Sequence, residues 1–191
     1  MKRVLFLFVA ALSLFTLLCA PATAARDPLT DEEIDQLRET AQMPNKRIEL
    51  FIKFVSARML AIQQVQSDPK LTDRPKQVHD LLEDFNYLTD QLDDNLDMYS
   101  RQKADFRKSL KKAIEAYSDW QLKLRTLKET SKPEELKQYS FSLETATENV
   151  NAGADTTREL LAEQEEAHKK KGKTDKDDKD EKAEEKKSAD R

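Results

Sequence analysis

The feature that most constrains the fold of this chain is an apolar repeat whose spacing alternates between three and four residues. One copy of this seam consists of Val78, Leu81, Phe85, Leu88, Leu92, Asn95 and Tyr99. A second consists of Phe106, Leu110, Ala113, Tyr117, Trp120, Leu124 and Leu127. Such spacing places side chains along one face of an α-helix that packs on other helices. Because only 2 of 191 residues are glycine and helix formers dominate, we predict an all-α fold.

Capping residues and prolines mark where the helices start. Thr30 and Glu33 have capping-box spacing, and Pro44 can open a second helix. Pro75 and Pro133 stand at the start of two more. These boundaries predict an antiparallel up-down four-helix bundle over residues 30–165, with a short extra helix at its N-terminus.

The last helix of this bundle carries a seam that changes character along its length. Its members are Leu136, Tyr139, Leu143, Ala146, Val150, Gly153, Thr157 and Leu160. After Val150 the seam is small and polar, so we expect this half to pack loosely or to leave a gap.

An alternative is that helices three and four fuse into one long coiled-coil helix. No glycine or proline separates their seams, and Tyr99 and Phe106 keep the seven-residue phase. Residues 100–105 offer almost nothing apolar, however, and a break gives helices of similar length. We therefore favour a break.

The second helix has more apolar surface than one bundle corner requires. Beyond its main face it carries a possible interaction face made of Leu50, Phe54, Ala57 and Ala61. Either the short first helix folds over this face and buries Leu37 and Ala41, or the face meets another chain. We favour the first, because a helix of about a dozen residues is unstable unless it docks.

The first residues are typical of a secretory signal peptide. Lys2 and Arg3 precede an apolar run, and Ala22-Thr23-Ala24 forms a cleavage-type site. A run of about 15 residues reaches about 23 Å, short of the roughly 30 Å hydrocarbon core. We therefore expect a signal peptide over residues 1–24, a linker over 25–29, and a periplasmic or extracellular mature protein without a stable membrane anchor.

The two ends and the middle differ in charge. Residues 166–191 are almost entirely Lys, Asp, Glu and Ala, which cannot form a core, so we predict a disordered tail.

The net charge of the chain is −4, and the acidic excess lies in the middle. Nucleic acid is therefore not an expected partner, because phosphate repels an acidic body.

Cysteine and histidine usage exclude several cofactor classes. The single cysteine, Cys19, leaves with the leader, so the mature chain has no disulfide, no thiolate metal site and no c-type haem attachment. Glu165 and His168 give one Glu-x-x-His, whereas a di-iron bundle needs two copies. His79 is expected on the surface. We predict no cofactor and no metal site.

Other conspicuous side chains have structural interpretations. Asp90, Asp94 and Asp97 share a face opposite the seam, which predicts a solvated acidic surface rather than a cation site. Asn95 either fixes the register of the core or lies on its rim. A band made of Tyr117, Trp120 and Tyr139 is expected to be core rather than a ligand pocket.

No nucleophile with an adjacent base is visible, so we do not expect an enzyme. The segment Leu29-Thr30-Asp31-Glu32-Glu33 resembles the Leu-Thr-x-x-Gln marker of periplasmic helical stress chaperones, with Glu33 in place of the Gln. This resemblance implies a chaperone-like role. The expected function is a protein-interaction, scaffold or chaperone-like module that has a protein partner or self-associates. The alternative is a bundle that binds a small ligand or a metal in its interior.

Overall fold

The computed structural model describes residues 27–189, with side-chain surroundings as far as Lys170. The predicted signal peptide, the start of the predicted linker and the last two residues of the chain lie outside this range. The described part forms helices and no strand, which confirms the all-α prediction. The helices are α1 (Asp31–Glu39), α2 (Pro44–Ser67), α3 (Arg74–Arg101), α4 (Arg107–Thr130) and α5 (Pro133–Ala189).

The helix starts follow the predicted signals. Thr30 Oγ1 accepts a hydrogen bond from the Glu33 N–H at 3.2 Å, and Glu33 Oε2 accepts one from the Thr30 N–H at 3.0 Å. Prolines occupy the first turns of α2, α3 and α5, where their missing N–H has no helical partner to lose.

Helices α3 and α4 are separate, so the fused alternative is wrong. Lys103 adopts a left-handed backbone with φ of 55°, and the helix cannot continue through it. The loop is held by Gln164 of α5, whose Oε1 accepts from the Phe106 N–H and whose Nε2 donates to the Ala104 carbonyl, each at 3.2 Å.

The chain forms two antiparallel helical hairpins, α2 with α3 and α4 with α5. They lie side by side so that α2 contacts α4 and α3 contacts α5. Asn45 bonds to Ser109 near the starts of α2 and α4, and Gln66 bonds to Ser131 near their ends. The two helices therefore run in the same direction.

The contact between α3 and α5 is parallel as well. Asn86 Nδ2 donates to the Ser142 carbonyl at 3.0 Å, and further towards the C-terminus of both helices Asn149 Nδ2 donates to Asp90 at 2.8 Å. This differs from the ring of antiparallel neighbours that the sequence predicted. The backbones of α3 and α4 lie diagonally across the core, and the loop at 102–106 joins them across one end.

The predicted seams form the core. Every member of the α4 seam is buried, and Trp120 packs edge-on against Phe85 and Tyr117 with ring centroids 5.9 and 5.1 Å apart. Leu81 and Leu136 are only partly buried. The gap expected after Val150 is occupied, because the Tyr117 ring lies directly over Gly153.

Helix α5 extends further than predicted. Its backbone stays helical to Ala189, whereas the sequence predicted that the last helix ends near residue 165 and that a disordered tail follows. Residues 166–170 are exposed, so packing does not hold this part of the helix. Lys, Glu and Ala are strong helix formers, and no proline follows Pro133 to break the helix.

Candidate functional site

The predicted interaction face on α2 is partly buried, and α1 contacts the same helix. Phe54 is buried, Leu50 and Ala61 are partly buried, and Ala57 is exposed. Leu37 of α1 joins the same core, so α1 docks on α2 as the sequence analysis favoured. The expected burial of Ala41 is wrong, because α1 ends at Glu39 and Ala41 lies in the exposed turn that follows.

A bidentate ion pair fixes α1 in this position. Arg58 donates to both carboxylate oxygens of Glu33 at 2.6 Å and also to the Pro28 carbonyl. The two side chains are only 13% and 12% exposed. Burial, the largest influence, raises the pKa of Glu33, but the bonds from Arg58 and the Thr30 N–H outweigh it, and the pKa lies below its usual value.

The acidic face of α3 contains one partly buried carboxyl group. Asp90, Asp94 and Asp97 are exposed, whereas Asp93 turns inward and accepts a hydrogen bond from the Tyr117 hydroxyl. Burial raises the pKa of Asp93 to about 6, and the neighbouring aspartates raise it further against the opposing effect of Tyr117. Among the described residues, no three His, Cys, Asp or Glu side chains are arranged to hold a metal ion.

The two histidines are not brought together. His79 Nδ1 lies 3.3 Å from Asp80 on α3, and His168 lies on the exposed end of α5. Glu165 of the Glu-x-x-His pattern faces Lys111 at 3.4 Å rather than another carboxylate.

The aromatic band and Asn95 belong to the core. Tyr117, Trp120 and Tyr139 are at most 1% exposed. Asn95 is 7% exposed, and its Oδ1 accepts a hydrogen bond of 2.8 Å from Arg47 of α2. Its buried amide therefore ties α3 to α2 at a fixed height, as expected of a register-fixing residue.

An open groove between α4 and α5 has a volume of about 600 Å3. We call it the α4–α5 groove. Leu124, Leu136 and Leu143 form its floor, where Leu136 is partly buried and Leu124 and Leu143 are only 1% and 2% exposed. The wall from α4 carries Gln121, Arg125 and Lys128. The wall from α5 carries Ser140, Glu144, Thr147, Glu148 and Asn151.

Small residues keep this groove open. Ser140 and Thr147 stand seven residues apart on α5, next to its seam, where longer side chains would fill the space. Thr147 Oγ1 donates back to the Leu143 carbonyl at 2.8 Å and stays close to its own helix. At one end, Gln121 Nε2 donates to Asn151 Oδ1 at 2.9 Å and joins the walls.

The charges of the groove are not neutralised by the residues whose side chains the structure describes. Arg125 and Lys128 face Glu144 and Glu148 across the floor, and all four side chains are exposed. None of them forms an ion pair with another described residue. Opposite charges that do not pair across an apolar floor are available to a partner that enters between them.

Sequence reasoning did not find this groove. Its floor residues were assigned to the core, and its charged residues resemble any solvated helix face. The available signal was the pair of small polar residues, Ser140 and Thr147, beside an otherwise apolar seam.

No protein-family model, curated protein or solved structure matches this chain. Within the described residues, none of the helices combines the length and apolarity that crossing a bilayer requires.

Proposed function

We propose that this chain is an exported four-helix bundle, built from two helical hairpins of alternating direction, that acts as a protein-interaction or scaffold module. The proposal places its binding site in the α4–α5 groove. One observation carries it: an open groove lies between two walls whose opposite charges do not pair with each other.

The groove suits a protein segment in its shape and chemistry. Leu136 is partly exposed in the groove and can contact an apolar side chain of a partner, and the flanking charges can orient it. Each wall helix also exposes a large apolar side chain: Leu122 is 61% exposed and Phe141 is 78% exposed. Protein contacts commonly combine an apolar centre with such a polar rim.

The alternative of a ligand held in the bundle interior has weaker support. Tyr117, Trp120 and Tyr139 fill the centre and satisfy their polar atoms with Asp93, Ser56 and Ser131. A partner at the surface requires no rearrangement of this core.

Filling the groove tests the interaction role. The mature protein carrying Ser140→Trp and Thr147→Trp should lose at least about ten-fold in capture of its partner from the exported fraction of the native cells, because the indoles occupy the floor. The matched control is Gln63→Trp, at an exposed position on α2, which should capture as the wild type does. Equal capture by the filled variant would contradict the proposal.

Export has its own test. The mature N-terminus should be Ala25 or Arg26 when exported protein is sequenced, since the proposed leader ends in Ala-Thr-Ala. An N-terminus at Met1 would contradict export through this leader.

A further inference from the structure

We infer that the occupant of the α4–α5 groove is the same groove of a second copy of this chain, related by a two-fold axis parallel to the helices. The inference rests on the proposed function, because it identifies the partner of that site. The inference follows from the positions of the basic and acidic residues on the two walls of the groove.

The two walls carry opposite charges at the same height. Gln121 bonds to Asn151 at one end of the antiparallel pair, and Ser131 accepts from the Tyr139 hydroxyl at 2.6 Å at the other. Arg125 lies four residues after Gln121 on α4. Because α5 runs in the opposite direction, the matching height on α5 lies about four residues before Asn151, between Glu144 and Glu148. The basic and acidic patches therefore face each other directly across the floor.

A two-fold axis along the groove exchanges the walls and preserves this height. It sets α4 of one copy against α5 of the other, with Arg125 and Lys128 opposite Glu144 and Glu148 of the second copy. Symmetry repeats the same contact on the other side of the axis. The surface is thus complementary to itself, whereas an unrelated protein would have to supply both charge patches independently.

The available area is adequate for a dimer. Helix α4 has 24 residues and is therefore about 36 Å long. Two such helices side by side, each about 10 Å wide, present about 700 Å2, close to the roughly 800 Å2 that each partner buries in a standard interface. The contact would cover the apolar floor, and it would reduce the exposure of Leu122 and Phe141 on the same two helices.

Charge reversal tests this arrangement. One variant carries Arg125→Glu with Lys128→Glu, so that both walls are acidic. A second carries Glu144→Lys with Glu148→Lys, so that both walls are basic. The mature wild type should sediment as a dimer in analytical ultracentrifugation, and each variant alone should dissociate with a Kd raised about 100-fold, because every contact becomes repulsive.

An equimolar mixture of the two variants should restore the dimer. Each acidic wall then meets a basic wall, and native mass spectrometry should show the heterodimer. The control variant, Lys46→Glu with Lys70→Glu, changes the charge equally at exposed positions outside the groove and should remain a dimer. Thermal melting of all the variants verifies that they are folded.

Three results would overturn the inference: a wild type that stays monomeric at about 100 µM, variants that dimerise as the wild type does, or a mixture that stays monomeric. Loss of partner capture on filling the groove, together with a monomeric wild type, would leave the proposed function standing and refute only self-association. Unchanged capture would refute the proposed function itself.

Discussion

At the scale of single residues, Tyr117 joins three helices. It belongs to α4, its ring covers Gly153 of α5, and its hydroxyl donates to Asp93 of α3. A Cβ at position 153 would lie 2.7 Å from the ring. Glycine is required there because the ring needs the space, and the small end of the α5 seam is therefore a packed contact.

Replacing this glycine should be unfavourable in spite of the better helix propensity of alanine. We expect Gly153→Ala to lower the free energy of unfolding by about 1 to 3 kcal/mol, because the methyl group overpacks against Tyr117. In a Tyr117→Leu background the same change should cost much less, since the ring is gone. Urea denaturation of the four proteins measures the cycle, and an equal cost in both backgrounds would refute the contact.

Asp93 makes stability depend on pH in the opposite direction to most carboxylates. Its pKa is raised to about 6 by burial, so the folded state binds the proton more tightly than the unfolded state does. Its ionisation destabilises the fold above pH 6, and this penalty disappears as the pH falls through 6 towards the unfolded value of 3.8. Glu33 and Glu135, with lowered pKa values, lose their stabilising contribution as the pH falls.

Comparison with Asp93→Asn isolates this effect from the other carboxylates. At pH 7.5 the variant should be more stable than the wild type by about 1 to 3 kcal/mol, and the advantage should shrink towards zero by about pH 4. Chemical denaturation across this range provides the measurement. A difference that stays constant with pH would show that Asp93 does not titrate as described.

At the scale of elements, the short helix α1 is positioned by the Arg58–Glu33 ion pair together with the burial of Leu37. Arg58 and Glu33 are nearly buried, so removing one partner leaves the other charge without compensation. We expect Arg58→Met to cost about 2 to 3 kcal/mol and to undock α1. Hydrogen exchange should then lose protection in α1 and retain it in α3.

An exposed ion pair on α1 offers the control. Arg38 and Asp35 are 75% and 69% exposed, and Asp35→Ala should therefore change stability by less than about 1 kcal/mol. Full protection of α1 in Arg58→Met would contradict the account of its docking.

The sequence predicted the elements well where the signals are local. Capping by Thr30, the prolines and the apolar seams located the helix starts and the buried faces. The predicted end of α5 lies too early in the chain. The composition of the tail indicates that it cannot form a core, but Lys, Glu and Ala favour a helix even where no core is formed. The end of α1 before Ala41 depends on a turn with no strong sequence signal.

At the scale of the whole molecule, the order of the helices around the core was beyond sequence reasoning. Seam spacing specifies which face of each helix is buried but not which helix it faces. The parallel contacts depend on polar pairs far apart in the chain, such as Asn45 with Ser109 and Asn86 with Ser142. The α4–α5 groove forms only when α4 packs beside α5. The sequence therefore did not indicate that the basic residues of α4 lie opposite the acidic residues of α5.

The central claim is that the α4–α5 groove is where this protein meets its partner, and site-specific photo-cross-linking in cells tests it most directly. A photoreactive benzophenone side chain would replace Ser140 on the groove wall or, as the control, Gln63 on the exposed face of α2. The account predicts a discrete cross-linked product from position 140, at the mass of a dimer or of a heteromeric complex, and none from position 63. A product from position 63 with none from position 140 would contradict it.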